Sequence, residues 1–211
     1  MNRTDLVVKH LKEKGEYWVE FEGLKLKILP EVFYYFDSEF LAKNLDISRN
    51  AVVLDMGTGS GILAIVASKN AKKVIAADIL DRAVECARLN VKRLGLENKI
   101  EVIKSNLFEN INGKFDIIIF NIPFNPEKEA KDLLEIATFD KDARLLQRFF
   151  KEVGNYLKEG GKIILAYASF GRLDILNECI KKQGFRHKIK TTLRIKNNLN
   201  DATFYIYEIF R

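Results

Sequence analysis

The stretch from Val52 to Asp78, VVLDMGTGSGILAIVASKNAKKVIAAD, decides the fold of this 211-residue chain. A short apolar run ends at the acid Asp55, and glycines follow at positions 57, 59 and 61. A helix-like apolar run comes next, and then a second short apolar run that ends at Asp78. Short β-branched runs bounded by glycine are typical of buried parallel strands, so the stretch predicts a strand, a helix and a second strand.

The glycines lie where the first strand must turn sharply into the helix. A ligand can therefore lie against bare backbone and against the positive end of the helix. Asp78, at the tip of the second strand, is placed to accept hydrogen bonds from ribose hydroxyls. This pattern suits any adenosine-type cofactor, but a dinucleotide fingerprint needs a third glycine where Ile62 stands. A nicotinamide oxidoreductase is therefore disfavoured.

The series D-x-G-x-G-x-G, from Asp55 to Gly61, resembles motif I of the class I S-adenosylmethionine-dependent methyltransferases. In that family the loop packs against the amino-acid part of the cofactor, and the acid after the second strand holds the ribose. Asn106 stands where the family commonly binds the adenine amine, although it could simply cap a turn. The cofactor-binding residues that the resemblance implies for S-adenosylmethionine are Asp55, Gly57, Thr58, Gly59, Gly61, Asp78, Ile79, Asn106, Leu107 and Asn121.

A second motif follows the most hydrophobic predicted strand, Phe115 to Phe120, and reads Asn121-Ile122-Pro123-Phe124. In doubly wound sheets, ligands bind outside the carboxyl ends of the strands where the strand order reverses. This turn and the glycine loop are therefore predicted to share one crevice. The alternative is a strand-ending turn with no catalytic role.

The sequence N-I-P-F resembles the N/D-P-P-Y/F motif of methyltransferases that act on planar nitrogens, with Ile122 in place of the first proline. The lone pair of a planar amide is delocalised, so the enzyme must hold the nitrogen in line with the methyl group and accept its hydrogens. We expect the Asn121 side-chain oxygen and the Ile122 carbonyl to accept them. Pro123 stiffens the turn, and Phe124 offers a face for stacking. These four residues are the predicted catalytic residues.

Alternating strands and helices, closed by an antiparallel hairpin of roughly Lys188 to Lys196 and Thr203 to Phe210, predict an α/β fold with a doubly wound, seven-stranded, mostly parallel sheet. A helix within residues 4–14 and a hairpin of Tyr17 to Phe21 with Leu24 to Ile28 predict a small N-terminal cap. We expect one methyltransferase domain over residues 1–211, with 1–45 as the cap segment and 46–211 as the catalytic core.

Two further segments bear on the predicted site. Asp37 or Ser38 is a candidate N-cap for a helix that runs to Asn44. The aromatic residues at 33–36 either pack in the core or line the pocket. The charged segment 127–142 is of a kind that often folds over a site.

Together these motifs resemble the HemK-like family, in its short single-domain form, over about residues 29–185. The resemblance implies an N-methyltransferase that acts on the glutamine side-chain amide of a translation factor or similar protein. The alternative acceptor is a base of ribosomal or transfer RNA, and a third hypothesis is a catalytically silent module that only binds the cofactor. Short members of the family often work with a small partner protein, so a small activating protein is a possible partner.

Charge and composition bear on partners and location. The net charge is +6, and basic residues cluster at 186–196, which favours RNA if they share one face and a solvated sheet edge if they do not. Cys86 and Cys179 lie far apart without a CxxC pair or a His cluster, so we expect reduced thiols and no metal site. The N-terminus is charged and no apolar run of about 18 residues occurs, so we expect no signal peptide, no membrane span and a cytoplasmic protein.

Overall fold

A computed structural model describes residues 3–197 and 200–211 of the chain. Within these ranges the helices are α1 (Arg3–Glu13), α2 (Phe36–Lys43), α3 (Ile62–Ala67), α4 (Asp81–Arg93), α5 (Leu133–Ile136), α6 (Arg144–Val153) and α7 (Leu173–Lys182), with a 3-10 turn at Lys141–Ala143. The strands are β1 (Tyr17–Phe21), β2 (Leu24–Ile28), β3 (Val52–Met56), β4 (Lys73–Asp78), β5 (Ile100–Lys104), β6 (Phe115–Asn121), β7 (Leu157–Ala168), β8 (Arg186–Asn197) and β9 (Asn200–Phe210).

Over the described ranges, seven strands form one sheet in the order β5-β4-β3-β6-β7-β9-β8. The first five of these strands are parallel to one another, and β9 runs antiparallel to both β7 and β8. The predicted doubly wound, mostly parallel sheet is therefore confirmed. The strand order reverses between β3 and β6, where Met56 pairs with Phe120, so the carboxyl ends of these two strands lie side by side.

Each of the two faces of this sheet has a hydrophobic core. Along β3, Val53 packs into one core and Leu54 into the other, and Ile117 and Ile118 of β6 divide in the same way. The residues alternate between the faces because successive side chains of a strand point to opposite sides. Both sides are covered by helices, which explains why β6 is a nearly continuous apolar run.

The predicted N-terminal hairpin is confirmed as β1 and β2, with Tyr17 opposite Ile28. Leu26 of β2 and Leu41 of α2 are completely buried in the same core as α3 and α4. The division of the chain at residue 45 stays a prediction.

Helix α1 packs against α5, which belongs to the charged segment after β6. Val8 and Leu11 of α1 are buried against Leu134 and Phe139. The Lys128 ammonium pairs with Asp5 at 2.7 Å and with Glu135 at 2.8 Å, and Lys12 pairs with Asp132. The N-terminal helix therefore fixes the position of this segment.

The predicted N-cap of the second helix is wrong. Helix α2 begins at Phe36 after Tyr35, and no side chain caps it. Asp37 lies inside the first turn, where its Oδ2 accepts a hydrogen bond from the Asn121 side chain at 3.2 Å instead of capping the helix.

Strand β7 begins at Leu157, and its pairing is irregular over the first residues. Pairing with β6 passes from Phe115 opposite Leu157 to Ile117 opposite Lys162, so residues 158–161 bulge out of the strand. The terminal hairpin is confirmed with longer strands than predicted, and residues 198 and 199 of its predicted connection lie outside the described residues.

Both cysteines are free, Cys86 buried and Cys179 half-buried. Within the residues that the structure describes, no helix combines the length and apolar character that crossing a membrane requires.

Replacing Gly61 with alanine should destabilise the fold more than the same change at Gly95. Both residues have a positive φ, +85° at Gly61 and +65° at Gly95. An added Cβ at Gly61 would lie 3.3 Å from the Ala87 Cα, whereas an added Cβ at Gly95 would have no neighbouring atom within 4 Å among the described residues. We expect about 1 kcal/mol of conformational strain in each variant, and about 1–3 kcal/mol more in G61A from overpacking between α3 and α4. Denaturant unfolding of the two variants measures the difference, and equal losses would contradict this packing.

Candidate active site

The loop between β3 and α3 uses all three glycines in the left-handed region, with φ of +66° at Gly57, +54° at Gly59 and +85° at Gly61. At Gly57 a side chain is excluded by space as well as by conformation, because an added Cβ would lie 2.9 Å from the Phe120 ring. The loop therefore presents backbone at its surface, as the spacing of the glycines predicts.

Asp55 lies behind the loop and does not line the cavity described below. Its Oδ2 accepts hydrogen bonds from the Thr58 hydroxyl at 2.6 Å and from the Ala64 N–H at 3.1 Å. The residue thus ties the loop to the first turn of α3. Its direct contact with a cofactor stays a prediction.

Asp78, at the end of β4, holds the same loop from the front. Its Oδ2 accepts a hydrogen bond from the Gly59 N–H at 2.9 Å, and its Oδ1 accepts one from the Leu80 N–H at 3.0 Å. A carboxylate offers about four acceptor positions, so two such bonds leave capacity for ligand hydroxyls.

One cavity opens at the carboxyl edge of the sheet, between the glycine loop, the tips of β4, β5 and β6, and the segment before α2. The predicted site residues that line it are Gly57, Thr58, Gly59, Asp78, Ile79, Asn106, Leu107, Asn121 and Pro123. Four other predicted site residues lie outside its lining, namely Asp55, Gly61, Ile122 and Phe124. The two motifs therefore share one crevice, as their places on the sheet predict.

The side chain of Asn106 is engaged within the protein. Its Oδ1 accepts a hydrogen bond from Arg148 at 2.9 Å, and its Nδ2 donates one to Glu109 at 2.8 Å. Its neighbour Leu107 is buried with a φ of +51°. Contact of Asn106 with an adenine amine stays a prediction.

Asn121, the last residue of β6, has an amide with two different ends. Its Nδ2 donates to Asp37 Oδ2 at 3.2 Å and lies 3.5 Å from Ser38 Oγ. Its Oδ1 is buried and has no hydrogen-bond partner in the protein. An unpaired buried acceptor costs about 1–3 kcal/mol, which a ligand N–H would offset.

The remaining residues of the turn have different surroundings. Ile122 is buried in the core. The Phe124 ring lies outside the cavity, among Phe170 at 5.4 Å, Tyr167 at 5.9 Å and Phe204 at 6.1 Å between ring centroids.

Burial raises the pKa of three acids around this crevice. The pKa of Asp55 rises to about 7, because burial outweighs the hydrogen bonds from Thr58 and Ala64, and the charge of Asp78 raises it further. Burial also raises the pKa of Asp78, against hydrogen bonds from Leu80 and Gly59. The pKa of Asp37 is raised for the same reason, against the hydrogen bond from Asn121.

Several lining residues come from segments without a recognisable motif. Both interpretations of the aromatic residues at 33–36 hold, because Phe33 lines the cavity and Tyr34 packs in the core. Ile136 and Ala137 show that the 127–142 segment reaches the cavity. The sequence around Asp37 and Ser38 indicates only candidate helix caps. Their contact with Asn121 spans more than eighty positions of sequence and leaves no local signal. Among the described residues, no group of three or more His, Cys, Asp or Glu could hold a metal ion.

Comparison with known families gives a match over most of the chain. The family model described as the methyltransferase small domain matches residues 25–191.

Three relatives illustrate the range of related proteins. A Methanocaldococcus jannaschii protein provisionally named a protein N5-glutamine methyltransferase is 40% identical over 186 residues, which cover 84% of this chain and 92% of the relative. A release factor glutamine methyltransferase of Borreliella burgdorferi is 31% identical, covering 85% of this chain and 66% of the relative. The ribosomal RNA small subunit methyltransferase C of Escherichia coli is 30% identical, covering 87% of this chain and 52% of the relative.

Replacing Asp55 with asparagine should change how stability depends on pH. The pKa of Asp55 is about 7 in the folded protein and near 3.8 ordinarily, so the folded state holds a proton that the unfolded state releases. The wild-type protein therefore loses stability as the pH rises from about 4 to 7, whereas the asparagine cannot ionise. We expect the unfolding free energy of D55N, relative to that of the wild type, to increase by at least about 1.4 kcal/mol between pH 5 and pH 8. Denaturant unfolding at both pH values measures it, and a difference that does not vary with pH would contradict the burial of a titrating carboxyl group.

Proposed function

The chain belongs to the methyltransferase small domain family and is an enzyme of the S-adenosylmethionine-dependent methyltransferase class, and we propose that it methylates the side-chain amide nitrogen of glutamine in a protein. The observation that carries this proposal is the unpaired Asn121 Oδ1 on a residue that lines the same cavity as the glycine loop. A planar amide has N–H groups to offer to such an acceptor, and its lone pair is weakly nucleophilic, so it must be held in place.

The residues of the cavity suit S-adenosylmethionine. The positive-φ glycines present bare backbone, and Asp78 keeps acceptor capacity for ribose hydroxyls. Ile79 and Ile136 are 45% and 40% exposed and give the cavity apolar side chains that suit a flat purine. When bound, this cofactor supplies a methyl group already activated on a sulfonium.

The turn at 121–124 would act on the acceptor by positioning it. Asn121 Oδ1 and the Ile122 carbonyl are the proposed acceptors of the two amide hydrogens. The Ile122 side chain is buried in the core, so packing can replace the rigidity that a proline gives at this position. A strong general base is not needed, because holding the nitrogen in line with an activated methyl group accounts for most of the rate.

A protein acceptor is supported by the glutamine methyltransferase relatives and by the pairing of the β8 cations. Three of these cations are already paired within the protein. Lys188 contacts Glu208 at 2.9 Å, Lys190 contacts it at 4.0 Å, and Arg194 binds Asp201 at 2.6 Å. An RNA phosphate would have to compete with these carboxylates.

The surface next to the turn is aromatic. Phe170, which is 41% exposed, packs against Phe124 and Phe204. Such a surface suits the side chains that flank a glutamine in a protein.

The ribosomal RNA relative keeps an RNA base as the alternative acceptor. A cofactor-binding module without activity, and a need for a small activating protein, are further outcomes that the experiments below separate.

Replacing Asn121 with alanine should lower methyl transfer by about 100-fold or more, because one preorganised hydrogen-bonding group is lost. The affinity for S-adenosylhomocysteine, measured by calorimetric titration, should stay within about threefold, since a hydrogen bond to the acceptor is not made to the cofactor. Asp78→Asn is the matched variant and should show the reverse pattern, with weaker binding of S-adenosylhomocysteine. Equal losses of binding and transfer in N121A would contradict the catalytic role.

Incubation of the chain with tritiated S-adenosylmethionine and a cell extract identifies the class of acceptor. We expect the incorporated label to be released by protease and to resist nuclease. Release by nuclease would establish RNA instead, and cofactor binding without any labelling would favour a silent module. Labelling that requires an added protein fraction of the extract would support an activating partner.

A further inference from the structure

The orientation of the Asn121 amide decides what it can do. With its oxygen free, the side chain accepts a hydrogen from the substrate, and with its NH2 free it could only donate one. Rotation by about 180° exchanges the two ends with little change in shape. Some neighbouring group must therefore select one of them.

Asp37 is the neighbour that makes this selection. Its Oδ2 lies 3.2 Å from Asn121 Nδ2. Both oxygens of Asp37 accept hydrogen bonds in the structure, Oδ1 from the Ser38 N–H and Oδ2 from the Asn121 NH2, so this side chain favours the NH2 end of the amide over its oxygen. The Ser38 hydroxyl, 3.5 Å from the same nitrogen, can donate or accept and does not discriminate between the ends.

The carboxylate of Asp37 is itself held in place. It is 5% exposed, and its Oδ1 accepts a hydrogen bond from the Ser38 N–H at 3.0 Å. Helix α2, which carries it, packs on α3 and reaches β6. One oxygen is thus fixed by backbone and the other is directed at Asn121.

We propose that Asp37 is a positioning residue, which turns the NH2 of Asn121 toward α2 and thereby keeps Oδ1 as an acceptor for the substrate amide. The proposal rests on the proposed function and explains why a buried acid stands at a place where neither motif contains one. Burying a carboxylate is costly unless hydrogen bonds compensate it. Here the compensation couples helix α2 to the catalytic turn.

The test compares Asp37→Asn with the control Glu208→Gln. Glu208 is a buried acid of β9 that pairs with Lys162 and Lys188. An asparagine at 37 can donate its own NH2 to Asn121 Oδ1 and occupy the acceptor. We expect the maximal rate of labelling at saturating extract to fall at least about tenfold in D37N, as expected for a lost hydrogen bond in the transition state. The affinity for S-adenosylhomocysteine should stay within about threefold, and E208Q should retain the wild-type rate.

The exchanged pair Asp37→Asn with Asn121→Asp provides a rescue. In this double variant the NH2 group at position 37 can bind one oxygen at position 121, which leaves the second oxygen free. We expect the double variant to transfer methyl groups at least about threefold faster than either single variant. A double variant no faster than the slower single one would overturn the proposal.

Hydrogen exchange of the Asn121 side-chain NH2, followed by NMR on asparagine-labelled protein and assigned with N121A, gives a readout that does not need activity. We expect protection in the wild type and in E208Q, and its loss in D37N. An unprotected NH2 in the wild type would overturn the proposal. If the wild type shows protection but no labelling, the proposed function fails while the orientation by Asp37 stands.

Discussion

Parallel pairing of β3 with β6 is the constraint on which the rest of the structure depends. The two strands leave the sheet at the same edge and their connections run to opposite faces, so a crevice must open between them. The glycine loop extends from one strand and the turn at 121–124 from the other. The proposed cofactor loop and the proposed acceptor turn meet there because each follows a different strand at the same edge of the sheet.

Burial of acids around this crevice is the energetic cost of the site. Asp37, Asp55 and Asp78 are each at least nine-tenths buried, and each accepts a hydrogen bond from an N–H group of another segment of the chain. The bonds of Asp55 and Asp78 hold the glycine loop from two sides, while Asp37 binds Asn121 in the turn at 121–124. Carboxylates in this environment fix backbone and amide dipoles in advance, and preorganised dipoles are what a positioning enzyme needs.

The walls of the cavity also depend on elements distant in sequence. Asn125, just after the turn at 121–124, forms a short parallel bridge to Phe139, and the Asp140 N–H donates to the Asn125 carbonyl at 2.8 Å. Phe139 packs in turn on α1, and Ile136 and Ala137 line the cavity. The N-terminal helix and the segment after the turn thus form one continuous set of contacts from the first turns of the chain to the site.

The sequence by itself determined the sheet, its doubly wound order and the two motifs at its edge, because these depend on local patterns. Apolar runs of strand length and glycines at every second position give a signal within a few residues. It also predicted nine residues that line the cavity. It could not determine which way the Asn121 amide points, that Asp55 lies behind the loop, or that Asp37 faces Asn121 instead of capping α2. Only the tertiary structure decided these points, because hydrogen bonds between residues far apart in sequence depend on how α2 packs beside β6, and no local pattern records that packing.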